Sequence, residues 1–205
     1  MLSAVAYVVM VFIRIPVVLF LKYEPKDVII AIGGFLYGPF SAMAMSIVVS
    51  LVEMVTVSDT GIYGAIMNAL SSCTFACTAA FIYKKWRKLP GAATGLVGGI
   101  VVTVPVMLLW NYLIVPLYMG MPREAIAPML VPYFLPFNLL KYGLSAAITM
   151  LLYKPIRIGL DKSRLLPAPA VSDGKASKVN VGVIIISALV IITCVLFILS
   201  KQGLL

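Results

Sequence analysis

Seven apolar stretches, near residues 2–22, 26–37, 40–57, 61–84, 91–116, 134–154 and 179–200, leave this chain little material for anything but membrane helices. A helix needs about 20 residues to cross the hydrocarbon core of a bilayer, so the second stretch is too short to span comfortably. Gly38 and Pro39 separate it from the third, because proline cannot extend the hydrogen-bond ladder and restricts the residue before it. A broken or tilted helix is expected there. With 62% of the 205 residues hydrophobic and 11% charged, and a mean hydropathy of +1.11, no separate soluble domain has room. The expected fold is all-α: an integral-membrane bundle of six helices with an additional C-terminal transmembrane helix.

The net charge of +9 does not indicate nucleic acid, because the basic residues stand between apolar stretches and form no interleaved basic and aromatic surface. They report topology instead. Lys84, Lys85, Arg87 and Lys88 follow the fourth stretch, and Lys154, Arg157, Lys162 and Arg164 follow the sixth, so both loops belong on the cytoplasmic side. Counting back places the N-terminus in the cytoplasm and the loops at 22–27, 58–61 and 119–132 outside. The first stretch opens at Met1 without a basic leader or a cleavage site and reads as a mature helix. Residues 1–157 form the expected six-helix domain. Residues 158–178, rich in Pro, Ala, Ser and Lys, read as a cytoplasmic linker, and 179–205 as an accessory helix facing lipid on several sides.

Histidine is absent, and Cys73, Cys77 and Cys194 all lie in apolar stretches, so neither a disulfide framework nor a metal site is indicated. Cys73 and Cys77 read as small packing residues on one helix face. There is no phosphate-cradling loop and no nucleophile with a histidine base, so no catalytic residues are expected and the chain is not expected to be an enzyme. Any ATP hydrolysis must occur on another subunit. Gly91, Gly95 and Gly99 recur every four residues, a spacing that lets a neighbouring helix approach closely.

Polar side chains at membrane depth are costly and normally face a partner, a cavity or a ligand. Asn111 lies late in the fifth stretch, while Asn138 and Lys141 share one helix face in the sixth. Two amides and an ammonium together suit a flat heterocycle with alternating carbonyls and ring nitrogens. The alternative is that Asn138 bonds a nearby backbone group and Lys141 pairs with an acid or snorkels. Arg14 and Glu53 are expected to form a structural ion pair. Glu24 and Asp27 suit the N-terminus of the short helix as capping acids, and Tyr23 could cover a planar ligand. Trp110, Tyr112, Tyr118, Tyr133, Phe134 and Phe137 read as an interfacial belt or as the wall of an outward-facing pocket.

The stretch from Leu21 to Pro39, ending Gly-Gly-Phe-Leu-Tyr-Gly-Pro, the helix from Ser46 to Glu53, and Pro132-Tyr-Phe-Leu-Pro-Phe-Asn-Leu-Leu-Lys141 resemble the substrate-binding S components of energy-coupling-factor (ECF) vitamin transporters, the riboflavin-specific branch most closely. The similarity spans roughly residues 2–157. It implies a six-helix fold that binds one vitamin near the outer face of the plasma membrane. It also implies association with a transmembrane coupling subunit and two cytoplasmic ATPases, and toppling of the S component to deliver its cargo. Asn111, Asn138 and Lys141 match the branch's binding residues, with riboflavin or flavin mononucleotide as transported substrate and no resident cofactor. The family's docking alanines, four apart in helix one, are incomplete here, because Ala4 is followed by Val8. The rival expectations are an S component for pantothenate or folate, an autonomous ion-coupled carrier using Arg14, Glu53 and Lys141 as a relay, or a membrane scaffold.

Overall fold

The first apolar stretch is only half helix. In the computed structural model, which describes residues 1–18, 21–57, 61–120, 122–162 and 181–201, helix α1 (Leu2–Phe12) ends well before residue 22. An antiparallel hairpin of β1 (Ile15–Val18) and β2 (Leu21–Tyr23) follows. The correction has a local cause. Pro16 disfavours a helical Ile15, and the β-branched residues around it suit an extended chain.

The remaining stretches become α2 (Lys26–Tyr37), α3 (Pro39–Thr56), α4 (Gly61–Lys85), α5 (Leu89–Met119), α7 (Leu135–Lys162) and α8 (Val181–Lys201). Gly38, at φ +98°, makes the break between α2 and α3, and Pro39 opens α3 where no intrahelical N–H is needed. At 12 residues α2 is about 18 Å long, short of the hydrocarbon thickness. Among the described residues, four helical spans, Pro39–Thr56, Gly61–Lys85, Leu89–Leu117 and Arg123–Tyr153, are long and apolar enough to cross a membrane. The expected linker starts later than residue 158, because α7 continues to Lys162; residues 163–180 lie outside the described residues.

The loop after α5 contains a further short helix, α6 (Arg123–Met129), with Glu124 in its first turn. A π-helical turn, Leu130–Phe134, joins it to α7. Pro132 and Pro136 lack the N–H groups that an α-ladder would require, and the Leu135 N–H reaches back five residues to the Leu130 carbonyl.

Apolar side chains gather in two cores. The first joins α1 to α5 and α7 around Ala6, Ile30, Phe35, Phe75, Met107 and Tyr142. The second joins the hairpin to α5, α6 and α7 through Val17, Leu21, Tyr23, Val115, Phe137 and Leu144. Helix α8 packs along α7 and touches β1, and its Ile191 and Cys194 rest on the second core. Its opposite face, including Ile185, Leu189 and Ile192, is exposed.

Helices α4 and α5 approach through the glycine series. A Cβ on Gly95 would stand 2.6 Å from the Ala79 carbonyl oxygen, and one on Gly99 2.9 Å from that of Phe75. Backbone cannot yield as a side-chain tip can, so Gly95→Val is expected to cost about 1–3 kcal/mol by overpacking. A Cβ at Gly143 would meet nothing within 4 Å, and Gly143→Ala should instead be neutral or stabilising by up to about 1 kcal/mol. Thermal unfolding of the two variants in one detergent checks both directions.

Candidate functional site

The polar residues singled out in the sequence lie between the two cores. On α5, Met107 belongs to the first core and Val115 to the second, and Asn111 occupies the same helix face midway between them. On α7, Phe137, Leu140 and Leu144 face the second core while Tyr142 faces the first. Asn138 and Lys141 are buried along that boundary. Helices α5 and α7 pack directly together, and the seam between the two cores runs along both of them.

Each of the three is held differently. Asn138 donates from Nδ2 to the Phe134 carbonyl at 2.7 Å, which anchors it to the end of the π-helical turn. Lys141 Nζ lies 3.4 Å from Asp27 Oδ2 and 5.5 Å from the centre of the Tyr142 ring. Asn111 is 2% exposed, and its Oδ1 accepts no hydrogen bond. A buried acceptor left unpaired costs about 1–3 kcal/mol, a cost that a ligand N–H would remove.

Tyr23 packs in the second core on the hairpin, with its hydroxyl beside Ser145 of α7. Neither hydroxyl makes a hydrogen bond of ordinary geometry. Burial pushes the Tyr23 phenol up to about 12, so at neutral pH it is an uncharged donor. Of the aromatics expected at the outer ends, Phe134 and Phe137 are core residues of this region, Trp110 packs on the first core, and Tyr133 is exposed.

Arg14 and Glu53 meet within a larger cluster. Arg14 Nη2 is 2.8 Å from Glu53 Oε1, and Arg14 Nε is 2.9 Å from Glu24 Oε1. The same guanidinium donates to the Val57 carbonyl at 3.1 Å. Lys26, fully buried, bonds Glu24 at 2.6 Å and also bonds Glu53, while Asn68 Nδ2 donates to Glu53 Oε1 at 2.9 Å. The cluster ties the end of α1 and the hairpin to α2, α3 and α4. Burial alone would raise the Glu24 carboxyl, but Lys26, Lys141 and Arg14 outweigh it and hold Glu24 below the usual range.

The capping role expected of the two acids does not hold, because α2 has no side-chain cap. Glu24 is engaged by Arg14 and Lys26, and Asp27 turns into the bundle, where Ser72 donates to its Oδ1 and Lys141 faces its Oδ2. Sequence reasoning therefore missed Lys26, Asn68 and Ser72, and gave Asp27 a different role. Lys26 and Asp27 did carry a signal, since two adjacent charges open an apolar helix. Cys73 and Cys77 lie one turn apart, their sulfurs 3.6 Å from each other, with Cys77 Sγ 3.3 Å from the Pro39 carbonyl oxygen.

A bundle of membrane helices with a seam of buried amides and paired charges, covered by a hairpin, has the layout of a small-molecule binding component. Apolar walls with a few directed polar groups are the usual composition of such sites. The family model of the substrate-specific component of ECF transporters matches residues 1–153, and the chain belongs to that family. It is therefore a component of a transport system, multi-pass in the membrane, and not an enzyme.

Among curated proteins, it is 29% identical over 165 residues to the riboflavin transporter RibU of Staphylococcus aureus (strain TCH60), covering 75% of this chain and 85% of that protein. It is 26% identical over 177 residues to the riboflavin transporter FmnP of Bacillus subtilis (strain 168), covering 80% and 92%. A solved S component of a bacterial ECF transporter superposes with a TM-score of 0.65 at 28% identity, covering 78% of this chain and 92% of that one.

Proposed function

We propose that this chain is the riboflavin-binding S component of an ECF importer. It takes up the vitamin at the outer face of the plasma membrane and hands it to a transmembrane coupling subunit driven by two cytoplasmic ATPases. Asn111, Asn138 and Lys141 hydrogen-bond the polar edge of the isoalloxazine ring, and Tyr23 on the hairpin covers its face. The N-terminus is cytoplasmic, as the basic residues after α4 and near the end of α7 require under the positive-inside rule. Residues 1–157 carry binding, and α8 is an addition braced on α7.

The observation that carries this reading is the unpaired Asn111 Oδ1, buried in the seam that also holds Asn138 and Lys141. Asn138 and Lys141 already have partners within the protein, as the alternative reading expected; the open Asn111 acceptor, with the Tyr23 and Ser145 hydroxyls also unpaired, is what supports a binding site over an inert scaffold. The pairing of Arg14, Lys26, Glu24 and Glu53 among themselves supports a structural role for that cluster over a charge relay.

Titration of purified protein with riboflavin, followed by quenching of flavin fluorescence, tests the reading. Asn111→Leu should weaken binding by about 1–3 kcal/mol, roughly 5- to 150-fold, because a ligand donor loses its acceptor. The ligand-free variant should be as stable as the parent or more so, since an isosteric apolar side chain replaces an amide whose buried oxygen has no partner. Full-affinity binding by Asn111→Leu would remove that residue from the site, and a parent protein that ignores riboflavin would end the proposal.

A further inference from the structure

Six charged side chains described in and around the bundle centre balance: Arg14, Lys26 and Lys141 stand against Glu24, Asp27 and Glu53. The first two cations are committed. Arg14 is bound to both glutamates and a backbone carbonyl, and Lys26 to both glutamates. Lys141 is different. It faces Asp27 Oδ2 at 3.4 Å, yet that oxygen accepts no hydrogen bond, so the contact balances charge without using an ammonium N–H. Other groups around Lys141 are the Tyr142 ring, the uncharged Tyr23 phenol on the hairpin and, at longer range, Glu24 and Glu53. Asp27 has no exposed surface, and Ser72 holds its other oxygen.

A ligand entering such a centre meets a donor whose charge is already cancelled. Lys141 can bond a neutral carbonyl or ring nitrogen, but a ring carrying negative charge would add an uncompensated buried anion, at a large desolvation cost. We propose that Asp27 is the charge-selecting residue of this site: by neutralising Lys141 it makes the seam accept its ring ligand uncharged and reject the ring as an anion. This inference rests on the flavin reading above and adds to it a residue and a rule of selection.

The probe is 8-hydroxyriboflavin, whose ring hydroxyl loses a proton with a colour change and delocalises the charge over the ring. Because binding and ionisation are linked, the pH at which the bound ring ionises reports which form the protein prefers, tenfold per pH unit. In the full-length parent protein the bound ring should ionise at least one pH unit above its value in free solution. In Asp27→Asn, where Lys141 keeps an unbalanced charge, it should ionise at or below the free value, and the anion should gain at least tenfold over riboflavin in competition.

Ionisation below the free value in the parent overturns the proposal, and so does an unchanged ionisation pH in an Asp27→Asn protein that still binds riboflavin. Should Asp27→Asn fail to fold, the parent measurement decides alone. A parent that binds riboflavin but prefers the anionic probe refutes only the charge rule. One that binds neither flavin refutes the flavin reading and this inference with it.

Discussion

Glu53→Ala should destabilise the protein by about 3–5 kcal/mol, the usual cost of removing one partner from a buried ionic cluster. Glu53 is 3% exposed and receives Arg14 and Asn68 on one oxygen and Lys26 on the other. Its loss leaves Glu24 alone to balance two cations, one of them fully buried, and leaves the Asn68 amide without its acceptor. Glu53 also holds the hairpin side of the cluster to α3 and α4, so its removal loosens the segment that carries Tyr23. Thermal unfolding in detergent or nanodiscs should show a large drop in midpoint, and stopped-flow release of riboflavin should be faster. Glu53→Gln keeps one acceptor and should fall between the two. A Glu53→Ala protein within 1 kcal/mol of the parent would mean that the cluster contributes little to holding the hairpin.

Lys141→Ala should act on both stability and binding. Without the ammonium, Asp27 keeps only Ser72 and becomes an uncompensated buried carboxylate, again a loss of about 3–5 kcal/mol. On the proposed function, riboflavin also loses a charged donor, worth a further 1–3 kcal/mol or so in affinity. The two effects separate in a double variant. Asp27→Asn with Lys141→Met removes both charges, so most of the stability should return while the affinity stays low. If Lys141→Ala bound riboflavin as tightly as the parent, the ligand role assigned to Lys141 would be wrong.

The legible and illegible parts of the fold divide by distance along the chain. The bounds of α2, α3 and α4 follow from apolar runs with Gly38, Pro39 and basic residues at their ends, all local signals. Helix α1 ends earlier than its apolar stretch because residues 13–22 are mostly as apolar as a helix, and hydropathy does not register that Pro16 and its β-branched neighbours prefer a hairpin. The segment expected only as an external loop after α5 contains α6 and leads into the π-helical turn that positions Asn138. Asp27 was misassigned for a related reason. An acid in a first turn is a sound capping signal, and only Ser72, 45 positions away, and Lys141 on α7 show that its carboxylate turns inward.

Composition, spacing and the short motifs sufficed by themselves to determine a helical membrane protein, the family it resembles, and the residue types unlikely to sit in lipid without a purpose. Those properties depend on each residue and its near neighbours. The Arg14–Glu53 pair was also within reach of the sequence, but the tertiary structure alone decided that Lys26 and Glu24 join it and that Asp27 is left to Lys141. The physical reason is that Coulomb energy and desolvation depend on separation and burial in three dimensions, and a carboxylate looks the same in sequence whether its partner is one turn away or on another helix.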